Sequence, residues 1–407
     1  MKGFIHFLKK VYRFLRTKGL KGAKGYVEQI AKKNDVIGFY GFVVDKTKVP
    51  FNREDYLKHK DDKVKILNWV IPEMGIGSGG HTTIFRFASN LEKMGFHSRI
   101  YLQNPITLTD NETLAKFVKD YFILDENIET FCDISYMEFA HATIATGWQT
   151  AYPVNNFDNT ISKFYFVQDF EPHFYAVGSE YAFAENTYKM GMRGITAGDW
   201  LKDKLADEYG METVSFGFSY NKEHYSPKEK TSEGNRVFFY ARPVTPRRDF
   251  ELGLLALNEL NKKLDNLTVV FAGWDIGNYE IPFDHKNLGI LPYEKLGEVY
   301  SDCDMCLVIS STNLSLVPLE VMASNSVAVC TKGANSTWLV NDSNAITVEY
   351  DPNDIADKMA YYFNHPDELS EIRKKGLEFA HTTSWIKEAE KVRDALNKFI
   401  EIDANKL

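Results

Sequence analysis

Short apolar runs alternate with longer amphipathic stretches along most of the chain. VKILNWVIP (64–72) reads as a buried strand and is followed by a Gly-rich turn, PEMGIGSGGH. Next, Ile84, Phe85, Phe87, Ala88, Leu91 and Met94 fall on one side at helical spacing, closed by Gly95. SRIYL (98–102), YFIL (121–124), ATIAT (142–146), KFYFVQD (163–169) and GITAG (194–198) repeat the strand pattern, with helical stretches between most of them. After a polar, turn-rich stretch at 219–234 the cycle restarts with RVFFYA (236–241), LTVVFAG (267–273), MCLVIS (305–310) and VAVCT (327–331). The helices of this half read as FELGLLALNELNKK, LGEVYSDC and LVPLEVMASN. Such alternation predicts an α/β chain with two doubly wound parallel sheets, each covered on both faces. A last helix, from Ser384 through Trp385, Ile386, Ala389, Val392, Leu396 and Ile400, carries one apolar stripe that needs a surface to cover it.

The first segment differs. Phe4, Phe7, Leu8, Val11, Phe14 and Leu15 recur at helical spacing, Lys9, Lys10, Arg13 and Arg16 fall mostly opposite, and Gly19 is the expected stop. Residues 1–34 hold ten Lys/Arg and one acid, Glu28, so the segment is +9 and leaves −17 for the rest of a chain of net charge −8. A basic amphipathic helix suits an anionic membrane surface, which is the expectation; the alternatives are packing on its own domain or an oligomer contact. The expected domains are the basic segment 1–34, a Rossmann-like domain at 35–225, a second at 226–383, and the helix 384–407 packing back on the first.

Composition narrows the class without changing this reading. At 407 residues, 44% hydrophobic and 26% charged, the chain is an ordinary globular protein of two-domain size. No run of eighteen apolar residues is present, so no spanning helix is expected, and charges interrupt the N-terminus too often for a secretory signal. The acidic body argues against nucleic acid as a partner. Cys132, Cys303, Cys306 and Cys330 are too few and scattered for a disulfide framework, which favours a reducing, cytoplasmic setting. Cys303 and Cys306 lie where a helix runs into a buried strand, as does the Asp302–Cys303–Asp304 triplet, so both read as packing and no metal site is expected.

In open α/β sheets ligands bind beyond the carboxyl ends of strands, so the chemistry is sought in the loops there. After strand 236–241 come Arg242 and Arg248, six apart across a Pro-bounded loop, with Arg247 beside them; they are either a polyanion grip or solvated surface. After strand 305–310, SSTNLSLVPLEVMAS opens a helix whose free N–H groups suit a phosphate, with Thr312, Asn313 and Ser315 as capping candidates. Glu320 in its first turns is either a ribose acceptor or a dipole-stabilising surface residue. In the first half Gly77, Gly79, Gly80 and His81 follow a strand; the loop suits close approach to phosphate or sugar, and His81 is either a ligand contact or a cap.

As an ordered set these stretches resemble the GT-B glycosyltransferases of the large family-4 type. The match lies in YAR242 with Arg248, FAG273, NLGILPYEKL, STNLSLVPLE320VMAS and VAVCTKGANSTWLVNDSNAI. Within that type, FVQDFEPHFYAVGSEYAFAENTY and the basic N-terminal helix resemble bacterial dTDP-L-rhamnose-dependent rhamnosyltransferases of the WsaF kind. The resemblance implies a GT-B fold with two Rossmann-like domains facing across a cleft. Arg242 and Arg248 would hold the donor diphosphate, Glu320 the pentose, and the backbone of 314–317, Ser315 and Leu316 among it, a phosphate; Gly273 ends the matching strand. Gly289, Leu291 and Tyr293 would border the base. Asp169, Glu171 and His173 would wall the sugar and acceptor; alternatively, Asp169 and His173 satisfy backbone groups in an irregular loop. Two positions depart from the pattern. Thr312 stands where a first glutamate is usual, and Gly147 and Trp148 where a histidine is often found; both family positions touch the transferred sugar.

The implied activity is retaining, metal-independent transfer of a sugar, L-rhamnose from dTDP-L-rhamnose, to a lipid-linked glycan at the inner membrane face, with no cofactor beyond the nucleotide sugar. A UDP- or GDP-sugar donor, a nucleotide-sugar epimerase, and an inactive carbohydrate-binding protein are the alternatives.

Overall fold

The computed structural model describes residues 2–31 and 35–407, and the side chains of 7–28 and 35–407. Lys32, Lys33 and the Phe4 side chain of the basic segment lie outside the described residues.

Seven strands form the first sheet: β1 (Lys65–Pro72), β2 (Phe96–Gln103), β3 (Glu129–Phe131), β4 (Ala140–Ala145), β5 (Thr160–Val167), β6 (Arg193–Ala197) and β7 (Thr213–Phe216). Their order is β3-β2-β1-β4-β5-β6-β7. β1 pairs in parallel with β2 on one side (Trp69 opposite Ile100) and β4 on the other (Trp69 opposite Ile144). All six residues of β4 are buried, as expected of a central strand covered on both faces. The second sheet comprises β8 (Asn235–Tyr240), β9 (Leu267–Ala272), β10 (His285–Asn287), β11 (Met305–Val308), β12 (Val327–Thr331) and β13 (Ile346–Val348), in the order β10-β9-β8-β11-β12-β13. Its core includes Val237, Phe239, Val269, Phe271, Leu307 and Val329. In each sheet the strand order reverses beside its first strand, between β1 and β4 and between β8 and β11, and the crevices beyond those carboxyl ends are where ligands bind in such folds.

The chain divides into two compact units, one of residues 1–196, 202–216 and 389–407, the other of 197–201 and 217–388. The crossing falls at Gly217, ahead of the expected boundary at 225/226. From Ala389 onward the last helix belongs to the first unit: Val392, Leu396, Phe399 and Ile400 are buried, Arg193 pairs with Asp403, and the Ser162 hydroxyl donates to Asp403 (2.7 Å).

YFIL (121–124) is not a strand. Tyr121 ends the helix Asn111–Tyr121, and Phe122 closes it by donating its N–H to the Val118 carbonyl (2.8 Å). Phe117 packs against both rings, so the aromatics serve a helix end, and the edge strand forms later, at Glu129–Phe131. The four cysteines are free and buried. Asp302 and Asp304 are occupied by Ser232, Arg236 and Lys230.

The N-terminal helix, Lys2–Ala31, is broken at Gly19 (φ 69°, ψ −172°), where the sequence set its stop. The stretch around and after the break docks on the sheet edge of the first unit. Lys18 is buried and donates to Glu73 Oε1 (2.7 Å), the Met74 carbonyl (3.1 Å) and Thr107 Oγ1 (2.6 Å). Gly25 lies so close to Ile106 that a Cβ there would meet its carbonyl oxygen at 1.8 Å. Packing on its own domain therefore holds for residues 18–25, whereas Leu8 (48%), Tyr12 (64%) and Leu20 (80%) stay exposed. Among the described residues no helix is long and apolar enough to cross a membrane.

Candidate functional site

In the second unit the loop after β8 is built by short-range backbone bonds. The Thr245 N–H donates to the Arg242 carbonyl (2.9 Å), the Arg248 N–H to the Thr245 carbonyl (2.9 Å), and a short 3₁₀ turn, Pro246–Arg248, leads to Asp249 at φ 49°. This loop is tied to the one after β11. Arg248 Nη1 donates to Ser310 Oγ and to the Asn313 carbonyl, both at 3.1 Å, and the Ser311 N–H donates to the Arg247 carbonyl (3.0 Å). The two candidate loops thus meet across the β8/β11 switch point. Arg242 is half-buried, 6.0 Å from the Tyr240 ring centroid, with Nη1 3.4 Å from the Tyr240 hydroxyl.

Gly273 belongs to the same cluster for a steric reason. It sits at φ 106°, and a Cβ there would strike the Tyr240 ring at 2.7 Å. Its N–H donates to the Gly289 carbonyl (2.8 Å), which brings the 289–293 turn to the end of β9. Gly289 adopts φ 62°, Leu291 is half-buried, and Tyr293 is exposed, with the His224 ring 5.0 Å away.

The helix carrying Glu320 is short, Val317–Ala323, and its cap position is Leu316, without a side-chain cap. The expected caps act elsewhere. Asn313 Oδ1 accepts the Ser315 N–H (3.0 Å), with Ser315 at φ 62°. Thr312 is 1% exposed, and its carbonyl accepts from Asn335 Nδ2 (2.6 Å). Thr312 is therefore inside the loop instead of on a sugar-facing surface, because Asn335 and Tyr350 draw the 310–312 backbone inward. Glu320 is half-buried and faces the Tyr225 hydroxyl; burial first, then the Glu320 charge, hold that hydroxyl protonated well beyond its ordinary range.

In the first unit His81 fastens the Gly-rich loop. Its Nε2 lies 2.9 Å from the Pro72 carbonyl, which can only accept, so Nε2 carries the proton and Nδ1 accepts from the Ser78 hydroxyl (2.7 Å). Burial lowers the imidazole pKa to about 4 and keeps it neutral. A Cβ on Gly77 or Gly79 would meet nothing within 4 Å, and the Gly80 carbonyl accepts from Gln168 Nε2 (3.1 Å).

The loop after β5 separates its candidates. Glu171 is buried, with Oε1 accepting from the Tyr165 hydroxyl (2.7 Å) and Oε2 from the Trp148 N–H (2.8 Å). It therefore takes the N-terminus of the helix Trp148–Asn156, which begins at the departing Gly147–Trp148 pair. Burial pushes its pKa up to about 7, against its two hydrogen bonds and with Asp169 adding to the rise. Asp169 is also buried, one oxygen accepting the Phe170 N–H (2.8 Å). His173 points out, its ring 4.7 Å from that of Phe170, with burial first and Lys204 next lowering its pKa. The three do not form one wall.

Two features escaped the sequence. Glu73, just past β1, accepts from Lys18 and from the N–H groups of Ile106 (2.6 Å) and Leu108 (3.1 Å), a long-range set with no local pattern. A cavity of about 530 Å³ lies beyond β2 and β3, lined by Asn104, Thr109, Cys132, Asp133, Ser135 and Tyr136. Among the described residues no group of three or more His, Cys, Asp or Glu is placed to hold a metal ion.

Comparison with known proteins joins the two halves. Residues 67–197 match the family described as WsaF, N-terminal domain, and 235–360 that described as WsaF, C-terminal domain. The O-antigen biosynthesis protein RfbC of Myxococcus xanthus is 30% identical over 344 residues, covering 82% of this chain; the chain spans 27% of that protein's length. Among solved structures, sucrose-phosphate synthase from Thermosynechococcus elongatus superposes with a TM-score of 0.61 at 12% identity, covering 82% of this chain and 98% of its own. Anabaena HepE, in complex with UDP and glucose, gives 0.63 at 11%, covering 82% and 100%. These structural likenesses establish the GT-B fold.

Proposed function

The chain belongs to the WsaF family and has the GT-B fold, and from that premise we propose that it is a nucleotide-sugar-dependent glycosyltransferase of polysaccharide or O-antigen biosynthesis. The carrying observation is the bond from Arg248 to Ser310 Oγ and the Asn313 carbonyl, which joins the arginine loop to the 310–316 loop at the β8/β11 switch point. Two guanidinium groups, Arg242 and Arg248, and the backbone of 314–317 then face a diphosphate leaving group, with Glu320 on the pentose and the 289–293 turn by the base. Breaking the bond between the anomeric carbon and the diphosphate puts negative charge on the phosphate oxygens, and fixed cations and amide dipoles stabilise it. Thr312 positions the loop from within. Glu171 and His81 position the strand ends of the first unit, where the acceptor is held, with the cavity beyond β2 and β3 as its candidate surface.

The donor is dTDP-L-rhamnose and the transfer retaining, in keeping with membership of the WsaF family; the acceptor is a lipid-linked glycan at an anionic membrane surface. A thermal-shift panel of dTDP, UDP and GDP tests the donor site, since binding to the folded state stabilises by mass action. The expected result is a shift largest for dTDP, and an Arg248→Ala chain whose affinity is weaker by about 1.5–3 kcal/mol. No shift with any nucleotide, or unchanged affinity in Arg248→Ala, rejects the assignment.

A further inference from the structure

The helix Val36–Val44 reads VIGFYGFVV, with the Tyr40 hydroxyl as its one polar side-chain group. A helix apolar all round belongs in a core or a membrane, yet none of its residues is buried. Its inner side is accounted for. Phe42 packs on Trp148 (5.7 Å between centroids) and Tyr152 (5.6 Å), and the Tyr40 hydroxyl donates to Glu180 (2.8 Å). Ile37 (84%) and Val44 (74%) on the opposite side, with Val36 (59%) and Phe39 (56%) at the helix start, stay open to solvent. An exposed apolar cluster of that kind marks an interaction surface.

Charge selects the partner. The preceding helix holds Lys9, Arg13, Arg16, Lys21 and Lys24 exposed, within a segment of +9 on a chain whose remainder is −17. A second copy on this face would bring two +9 segments to one interface, whereas an anionic bilayer meets both the apolar face and the cations. Attachment points agree as well. The basic helix is bound through Lys18 to Glu73 and Thr107, beyond β1 and β2, and the apolar helix packs on Trp148, beyond β4. Both are thus fixed at the carboxyl edge of the first sheet.

We propose that Val36–Val44 is an interfacial wedge. Its outer face enters the headgroup–acyl boundary of an anionic bilayer beside the basic helix, and so presents the strand ends of the first unit to the membrane. That a lipid-linked acceptor is met there rests on the proposed function; the membrane contact does not.

The test uses the full chain, flotation on vesicles of phosphatidylglycerol with phosphatidylcholine or of phosphatidylcholine alone, and an Ile37→Cys variant carrying an environment-sensitive fluorophore. The native cysteines are all buried, so the label is site-specific. The expected result is flotation on anionic vesicles with a blue shift of the label, and at least about ten-fold weaker partition for Ile37→Glu with Phe39→Glu at unchanged melting temperature. Equal flotation of the double variant, or a label that stays in water on bound vesicles, overturns the wedge. So does a wild-type dimer that ignores vesicles and becomes monomeric in the double variant. Nucleotide thermal shifts are read in parallel: their absence sinks the donor-site reading and leaves the wedge standing.

Discussion

Glu171 and His81 are held uncharged by opposite effects of the same burial. Glu171 keeps its proton up to about 7, so between its ordinary value near 4.5 and 7 the folded chain holds a proton that the unfolded chain has lost. Its contribution to stability is complete below about 4.5 and is lost as pH rises through 7. His81, lowered from 6.5 to about 4, behaves in the reverse sense: its contribution is present above 6.5 and is lost as pH falls through 4. The two slopes oppose each other over most of the same window, so the wild-type profile hides both. Glu171→Gln keeps an acceptor for the Trp148 N–H and removes one slope. Its melting temperature is expected to gain on wild type from pH 5 to pH 7.5, by an equivalent on the order of 3 kcal/mol; parallel profiles in scanning fluorimetry would reject a protonated buried Glu171. None of this was legible in QDFEPHF. The sequence offers two carboxylates and an imidazole in five residues, and the turn at Phe170 decides that Glu171 goes inward and His173 outward.

Single elements show which patterns translate into structure. Central strands such as β1, β4 and β8 were legible because burial on both faces makes them continuous apolar runs. β3, β10 and β13 were not, since three residues at a sheet edge are too few for a periodicity to show, and the aromatic YFIL competed with β3 for the same assignment. In the N-terminal segment the helix and its break at Gly19 were legible, but the docking was not: it depends on two backbone approaches, Gly22 to Thr107 and Gly25 to Ile106, far apart in sequence. A Gly25→Val chain, whose Cβ would meet the Ile106 carbonyl at 1.8 Å, is therefore expected to lift residues 18–31 off the sheet edge. Trypsin should then cut first at Lys21 and Lys24, with the rest of the first unit resistant; unchanged cleavage kinetics would show that the contact does not hold the helix. Deleting residues 1–34 is a poor probe of membrane binding, because it also strips the half-buried Glu73 of its Lys18 partner and uncovers the sheet edge. Arg13→Glu with Arg16→Glu leaves Lys18 in place and tests the charge alone.

At the scale of the molecule, two sheets of the same strand order carry different chemistry beyond their switch points. The β8/β11 crevice gathers guanidinium groups and a carboxylate, while the β1/β4 crevice holds a neutral imidazole and a protonatable carboxyl. Arg242, Arg248 and Glu320 were each ambiguous in isolation; their order across one Rossmann-like unit is what supports the proposed donor end, whereas Thr312 and Gly147 gave no equivalent for the sugar end. This asymmetry sets the last expectation. On the proposed function, two arginines and a row of backbone N–H groups would supply fixed positive charge where a diphosphate leaves, and the step is expected to need no divalent cation. Turnover with donor and soluble acceptor should then survive EDTA unchanged, while Arg242→Ala and Arg248→Ala each lower kcat by about 10²–10³ at saturating donor. An enzyme silenced by EDTA and restored by Mn²⁺ alone would move the charge from the arginines to a metal and overturn the account. Arginine variants that raise KM at constant kcat would instead limit the pair to ground-state binding.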